Sequence, residues 1–186
     1  MKKAMLLLFA ALLALFVSTA AMAAEAPFHI GIVTGTVSQS EDDLRGAELM
    51  IKKYGDVANG GMIQHLTYPD NFMSEMETTI SQIAGLADDP KMKVIVVNQA
   101  IPGTAEAFRR VKEKRKDILC FAGEAHEDPN VITSVADMAI NADFVSRGYL
   151  IIDTAKKLGC KTFVHISFPR HMSYILKRKQ RFRSDH

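Results

Sequence analysis

The residues in this sequence that could do chemistry are hydroxyls, amides and carboxylates gathered at the ends of apolar runs. Thr34, Thr36, Ser38, Gln39 and Ser40 follow the first run, and Tyr68 and Asn71 follow the second. Asn98 and Gln99 follow the third, Gly123 and Glu124 the fourth, and Asp137 a fifth. Taken singly, Ser40, Asn71 and Thr104 read as cap or turn residues. As a set, these tips offer both donors and acceptors with little net charge. That combination suits hydrogen bonding to a neutral or zwitterionic small molecule rather than bond making.

The signatures of common catalytic sites are missing. Gly31 and Gly35 do not complete a GxGxxG fingerprint, and there is no GxxxxGK[ST] or GxSxG, so neither a nucleotide cofactor nor a nucleophile elbow is implied. The run Glu124-Ala125-His126-Glu127-Asp128 has metal-friendly composition but reads as a solvated loop. His65 and His165 fall inside strand-like runs, where a hydrogen-bonded sheet histidine is the expectation, whereas His171 follows a strand tip. Cys120 and Cys160 make no CxxC or Cys/His ligand spacing and read as buried free thiols. A binding protein with no catalytic residue, metal or cofactor is expected. The rival is a secreted α/β enzyme using His171 or Glu124 as a base.

The elements that must hold these tips repeat as apolar run, polar loop and helix-period segment. His29 to Thr34 is a strand, and Leu44, Ala47, Ile51 and Tyr54 form the stripe of the following helix, which Ser40 and Asp43 start and Gly55 stops. A second strand, Met62 to Tyr68, leads to a helix capped by Ser74 with Glu77, its stripe being Met76, Ile80, Ile83 and Ala87. Lys93 to Gln99 is a third strand. Pro102-Gly103-Thr104 then opens a helix that buries Phe108 and Val111 and turns a basic, solvated face outward. Ile118 to Gly123 and Val131 to Val135 read as two more strands. A helix after Asn141 carries Val145, Tyr149, Ile152 and Ala155 and stops at Gly159, and Lys161 to Phe168 reads as a sixth strand. Strands separated by helices of this length predict a parallel sheet.

The chain ends carry different information. Met1-Lys2-Lys3, the apolar run Ala4 to Val17 and Ala21-Met22-Ala23 have the layout of a cleaved secretory signal over residues 1–23. There is no following Cys for lipidation, so a periplasmic or secreted protein with no stable membrane anchor is expected. Lys2 and Lys3 go with the leader, leaving 21 basic residues against 21 acidic ones. Five of those bases lie in the tail from Lys177 to Arg183, so residues 24–176 hold 16 bases and 20 acids, which is no footprint for nucleic acid.

Three segments, IGIVTGTVSQSEDDLRGAELMIKKYG, VIVVNQAIPGTAEAFRRVKEK and ADMAINADFVSRGYLIIDTAKKLGCKTFVHIS, resemble the first, third and lobe-crossing segments of type I periplasmic substrate-binding proteins. A closer likeness is to one of the uncharacterised families of that group, which leaves the ligand unnamed. The resemblance implies a Rossmann-like parallel sheet with helices on both faces, with residues 24–140 as the N-terminal lobe and 141–186 as the crossover and start of an incomplete second lobe. It also implies a small-molecule solute held in an inter-lobe cleft and delivered to the membrane permease of an ABC-type transporter, or alternatively read by a membrane sensor. By position it makes Thr36, Ser38, Gln39, Asn98 and Gln99 ligand contacts, with Asp137 where sugar-binding members place an acid. Phe168 and His171 come from the second lobe, and Tyr68 and Glu124 complete the rim. The first loop lacks Phe, Tyr and Trp, a departure from the aromatic sandwich of sugar binders.

Overall fold

A computed structural model describes residues 25–164, and five parallel strands organise them. In chain order the elements are β1 (His29–Thr34), α1 (Val37–Tyr54), β2 (Ile63–Thr67), α2 (Met76–Gly85), β3 (Met92–Val97), α3 (Thr104–Lys114), β4 (Leu119–Gly123), α4 (Pro129–Thr133), β5 (Met138–Ile140) and α5 (Phe144–Lys157). The sheet order is β2-β1-β3-β4-β5 with every pairing parallel. This is the expected α/β architecture, a Rossmann-like sheet flanked by helices. Among the described residues no helix is long and apolar enough to cross a membrane.

The order of the strands decides which face each helix covers. From β1 the chain steps to β2 on one side; every later step runs the other way. Parallel crossovers keep one hand, so α1 must lie on the opposite face from α2, α3 and α4. The packing agrees. Ala47 and Ile51 of α1 meet Ile30, Ile32 and Ile63 in a small cluster, while Ile80, Ile83, Phe108, Val111 and Ile132 pack with Val33, Ile95, Val97 and Cys120 in the main core. Gly31 lets the main-core helices close on β1, because a Cβ there would lie 2.8 Å from Leu86 Cδ1.

Several predicted details hold and others need correction. Ser40 is the one non-helical residue inside α1 (φ −163°, ψ 88°), and its hydroxyl donates to Asp43 Oδ2 at 2.6 Å, so the main helix does start there. Gly55 ends it by donating its N–H to the Ile51 carbonyl. Ser74 does not cap α2. Its hydroxyl donates to the Asn71 carbonyl at 3.0 Å, tying a turn, and the helix starts after Glu75. Val131 to Val135 is not a strand. Asp128 accepts the Asn130 N–H at 2.8 Å with Pro129 at the first helical position, and this cap opens the short α4. The fifth strand is Met138–Ile140 instead. Residues 161–164 are not in a strand, and the rest of the expected sixth strand lies outside the described residues. Cys120 is buried as expected, but Cys160 is exposed.

Candidate functional site

In an open α/β sheet a ligand crevice forms at the C-terminal edge, where strand order reverses and consecutive helices leave on opposite faces. Here that point lies between β1, which feeds α1, and β3, which feeds α3. Thr36 in the loop after β1, with Ser38 and Gln39 in the first turn of α1, lies on one side and Asn98 and Gln99 after β3 on the other, so the structure brings these five predicted residues to the same edge.

On the β1 side the polar groups are organised by an acid. Thr36 donates its hydroxyl to the Asp70 carboxylate and lies 2.9 Å from the Ser38 hydroxyl, and Gln39 Nε2 donates to the Asp70 carbonyl at 3.1 Å. The hydroxyls of Thr36 and then Ser38 hold the Asp70 carboxyl below its ordinary range, so it stays ionised. Sequence pattern does not single out Asp70 as a site residue. Its signal there is the Pro69-Asp70-Asn71 turn, which says nothing about which strand tip lies next to it.

On the β3 side the backbone is unusual. Gln99 (φ 49°) and Glu124 (φ 43°) both sit in the left-handed region, which costs a non-glycine residue on the order of 1 kcal/mol. Hydrogen bonds on either side hold them there. Ala100 N–H donates to the Gly123 carbonyl at 2.9 Å, His126 N–H to the Ala100 carbonyl at 2.9 Å, and Glu124 N–H to the Ile140 carbonyl at 2.7 Å. Gly123 makes room for its neighbour, since a Cβ on it would fall 2.8 Å from Asn98 Oδ1. Glu124 is exposed at this edge.

Two predicted contacts need correction. Tyr68 is 1% exposed; it packs edge-on against Phe72 beneath Gly35, whose Cβ position would lie 2.9 Å from the Tyr68 hydroxyl. It supports the first loop from below rather than facing a ligand. Asp137 precedes β5, which puts it at the N-terminal edge, opposite the rim. Its carboxylate accepts the Cys120 N–H at 2.7 Å and Lys112 Nζ at 2.6 Å. Partial burial works to raise its pKa, but the bonds from Lys112 and Cys120 outweigh that and hold it below the ordinary value. Phe168 and His171 lie outside the described residues.

The remaining candidates have structural employment. Glu127 accepts the N–H groups of Gly103 at 2.6 Å and Ala105 at 2.8 Å and so caps α3, while Asp128 caps α4. The acidic run after β4 therefore fastens two helix starts. His65 Nε2 lies 2.9 Å from the Thr34 hydroxyl within the sheet, and burial pushes its pKa down. Burial raises the Cys120 thiol to about 11, out of the reactive range. The five segments that leave the strands at the C-terminal edge, residues 35–40 (the last four of them in the first turn of α1), 68–75, 98–103, 124–128 and 141–143, contain six acids and no Lys or Arg.

Over residues 28–185 the chain matches the family described as "Protein of unknown function (DUF3798)". Two proteins of Treponema pallidum (strain Nichols), each described as "Uncharacterized protein", are similar to it. One is 44% identical over 156 residues, covering 83% of this chain and 71% of the relative. The other is 46% identical over 89 residues, covering 48% of this chain and 41% of the relative. Among solved structures, the crystal structure of a candidate transcriptional regulator from Clostridium difficile 630 superposes with a TM-score of 0.68 at 27% identity. That match covers 84% of this chain and 46% of the regulator, so the chain spans about half the length of its solved relative.

Proposed function

We propose that the chain, which belongs to the family described as "Protein of unknown function (DUF3798)", is the solute-binding component of a transport system. In this reading, residues 1–23 export it and it holds a small polar molecule without transforming it. A membrane permease receives the solute, and the residues beyond 141 lead into a second lobe that closes over the rim. One observation carries the proposal: Thr36, Ser38 and Gln39 share one sheet edge with Asn98 and Gln99, at the point where strand order reverses. The amides and hydroxyls supply directional bonds, and a backbone held in the left-handed region at Gln99 and Glu124 is the kind of strain found at binding edges. With acids but no Lys or Arg in these loops, the rim suits a neutral, zwitterionic or cationic solute over a fully anionic one.

A second reading, a ligand-sensing module, is favoured by the description of the solved relative as a candidate transcriptional regulator. Both readings use the same rim and differ in the partner that responds.

The test is a titration of the full chain with a panel of neutral, cationic and anionic polar solutes, followed by amide chemical shifts at millimolar concentration. Neutral or cationic solutes should move Thr36, Gln39, Asn98 and Gln99 and leave Asp137 in place. Shifts centred on the N-terminal edge, or none with any solute, would overturn the binding assignment. Conversion of the solute during the titration would favour an enzyme.

A further inference from the structure

The acids of this chain divide by what holds them. Glu77, Asp88, Glu106, Asp117 and Asp137 each pair with a Lys or Arg, and Glu127 and Asp128 accept backbone N–H groups at helix starts. Asp70 does neither. Among the described residues its carboxylate takes hydroxyls alone, from Thr36 and Ser38, and no Lys, Arg or backbone N–H reaches it. A carboxylate offers about four lone-pair positions, so roughly half of its acceptor capacity stays open on this exposed residue.

The surroundings of that open carboxylate define what fits it. Thr36 ties Asp70 to the tip of β1, and β3 is the next strand over; the β2 and β3 chains on either side of β1 are on the order of 10 Å apart, the span of a small molecule. On the β3 side Asn98 and Gln99 are half-buried, and among the described residues neither side-chain amide makes a hydrogen bond. Apolar surface stands at the same edge, where Val37 is 54% and Met73 60% exposed. Among the described residues no three His, Cys, Asp or Glu side chains come together to hold a metal ion. An organic cation answers all of these features: its N–H groups donate to the carboxylate, its carbon chain lies on Val37 and Met73, and its polar remainder bonds to the two amides.

We propose that the solute carries an ammonium or guanidinium group and that Asp70 is the residue that selects it. The inference rests on the solute-binding reading and narrows it from polar molecules in general to organic cations. An ionised carboxylate only accepts, so a neutral hydroxyl can bond to it, but a charged N–H donor bonds more strongly and cancels its charge. The two hydroxyls fix the carboxylate in place before the solute arrives, so little freedom is lost on binding.

The test titrates the full chain with pairs of probes matched in shape and differing in charge: arginine against citrulline, 1,4-diaminobutane against 1,4-butanediol, and glucosamine against glucose. The cationic member of each pair should bind about tenfold tighter or more and move the amide signals of Thr36 and Asp70. Asp70→Asn keeps an acceptor for the Thr36 hydroxyl and removes the charge, so it should abolish the difference within each pair. Glu113→Gln removes the same charge from an exposed residue near the far end of α3 and should preserve the difference. Neutral members that bind as tightly as their cationic partners and move the same rim signals would overturn the choice of a cation and leave the solute-binding reading standing. Rim signals that no probe moves would overturn both. An Asp70→Asn protein that weakens every probe alike would show Asp70 to be a support for the loop and would also overturn the proposal. The comparison within pairs on the native chain decides the matter even if Asp70→Asn does not fold.

Discussion

Asp137 separates the two edges of the sheet, and substituting it tests the assignment of both. The Asp137→Ala variant removes the acceptor of the Cys120 N–H, on a fully buried residue, together with the Lys112 ion pair. A buried amide left without its partner costs about 1–3 kcal/mol. The ion pair adds little, because the Asp137 side chain is 35% exposed and solvent screens it, and Lys112 keeps its bond to the Ile118 carbonyl at 2.7 Å. We expect a loss of about 2 kcal/mol, which for a chain of this size lowers the thermal midpoint by roughly 4–8 °C. Asp137→Asn keeps an acceptor for the amide and should lose less.

The pH dependence follows from the sign of the shift. The folded pKa of Asp137 lies below its ordinary value of 3.8, so the stabilisation is fully present above that value and is lost as the pH falls through the lower folded one. The gap between the native chain and Asp137→Ala, measured by urea unfolding at a series of pH values, should therefore be constant near neutrality and close in acid. Solute-induced shifts at Asn98 and Gln99 should be the same in both proteins. An unchanged midpoint together with weakened solute binding would refute the reasoning and return Asp137 to the ligand.

Other consequences can be checked with the same protein. Asn98→Ala should weaken solute binding by about 1–3 kcal/mol with little change in midpoint, and Gly123→Ala should weaken it too, by pushing Asn98 aside; titration by chemical shift reads both. Glu124→Gly should raise the midpoint slightly, by relief of on the order of 1 kcal/mol of left-handed backbone cost at φ 43°. In a thiol titration of the native protein Cys160 should react rapidly, while Cys120, buried with its pKa near 11, reacts only on unfolding.

What could be read from residues alone was whatever local pattern determines. The apolar runs of β1 and β3 and the stop at Gly55 are local, and they stand where the pattern put them. The basic face of α3 is likewise solvated, with Arg110 paired to Glu77 and Glu106, and Lys114 paired to Asp88. The difference at Val131 to Val135 is also local: the β-branched residues there imitate a strand while the Asp128-Pro129 start signal sets a helix, and a three-residue strand is too short to show alternation. Its consequence was not local. In a parallel sheet the residue before a strand and the residue after it lie on opposite edges, so moving the fifth strand from Val131–Val135 to Met138–Ile140 carried Asp137 from one edge to the other.

The partners of the remaining rim residues depend on strand order, which no run of residues displays. Thr36 meets Asp70 because β2 is a neighbour of β1, and Asn98 comes up on the other side of the same strand because β3 is its second neighbour. With a different order, the same loops would have the same composition and share no crevice. Tyr68 makes the point at the scale of one side chain. It stands at a strand tip with a hydroxyl, as a ligand contact should, but Gly35, just past the end of the adjacent β1, has no side chain to keep the ring out, and the ring lies buried under the loop. Pattern identifies the tips; the neighbours of each strand decide which tips face a ligand and which ones hold the rim in place.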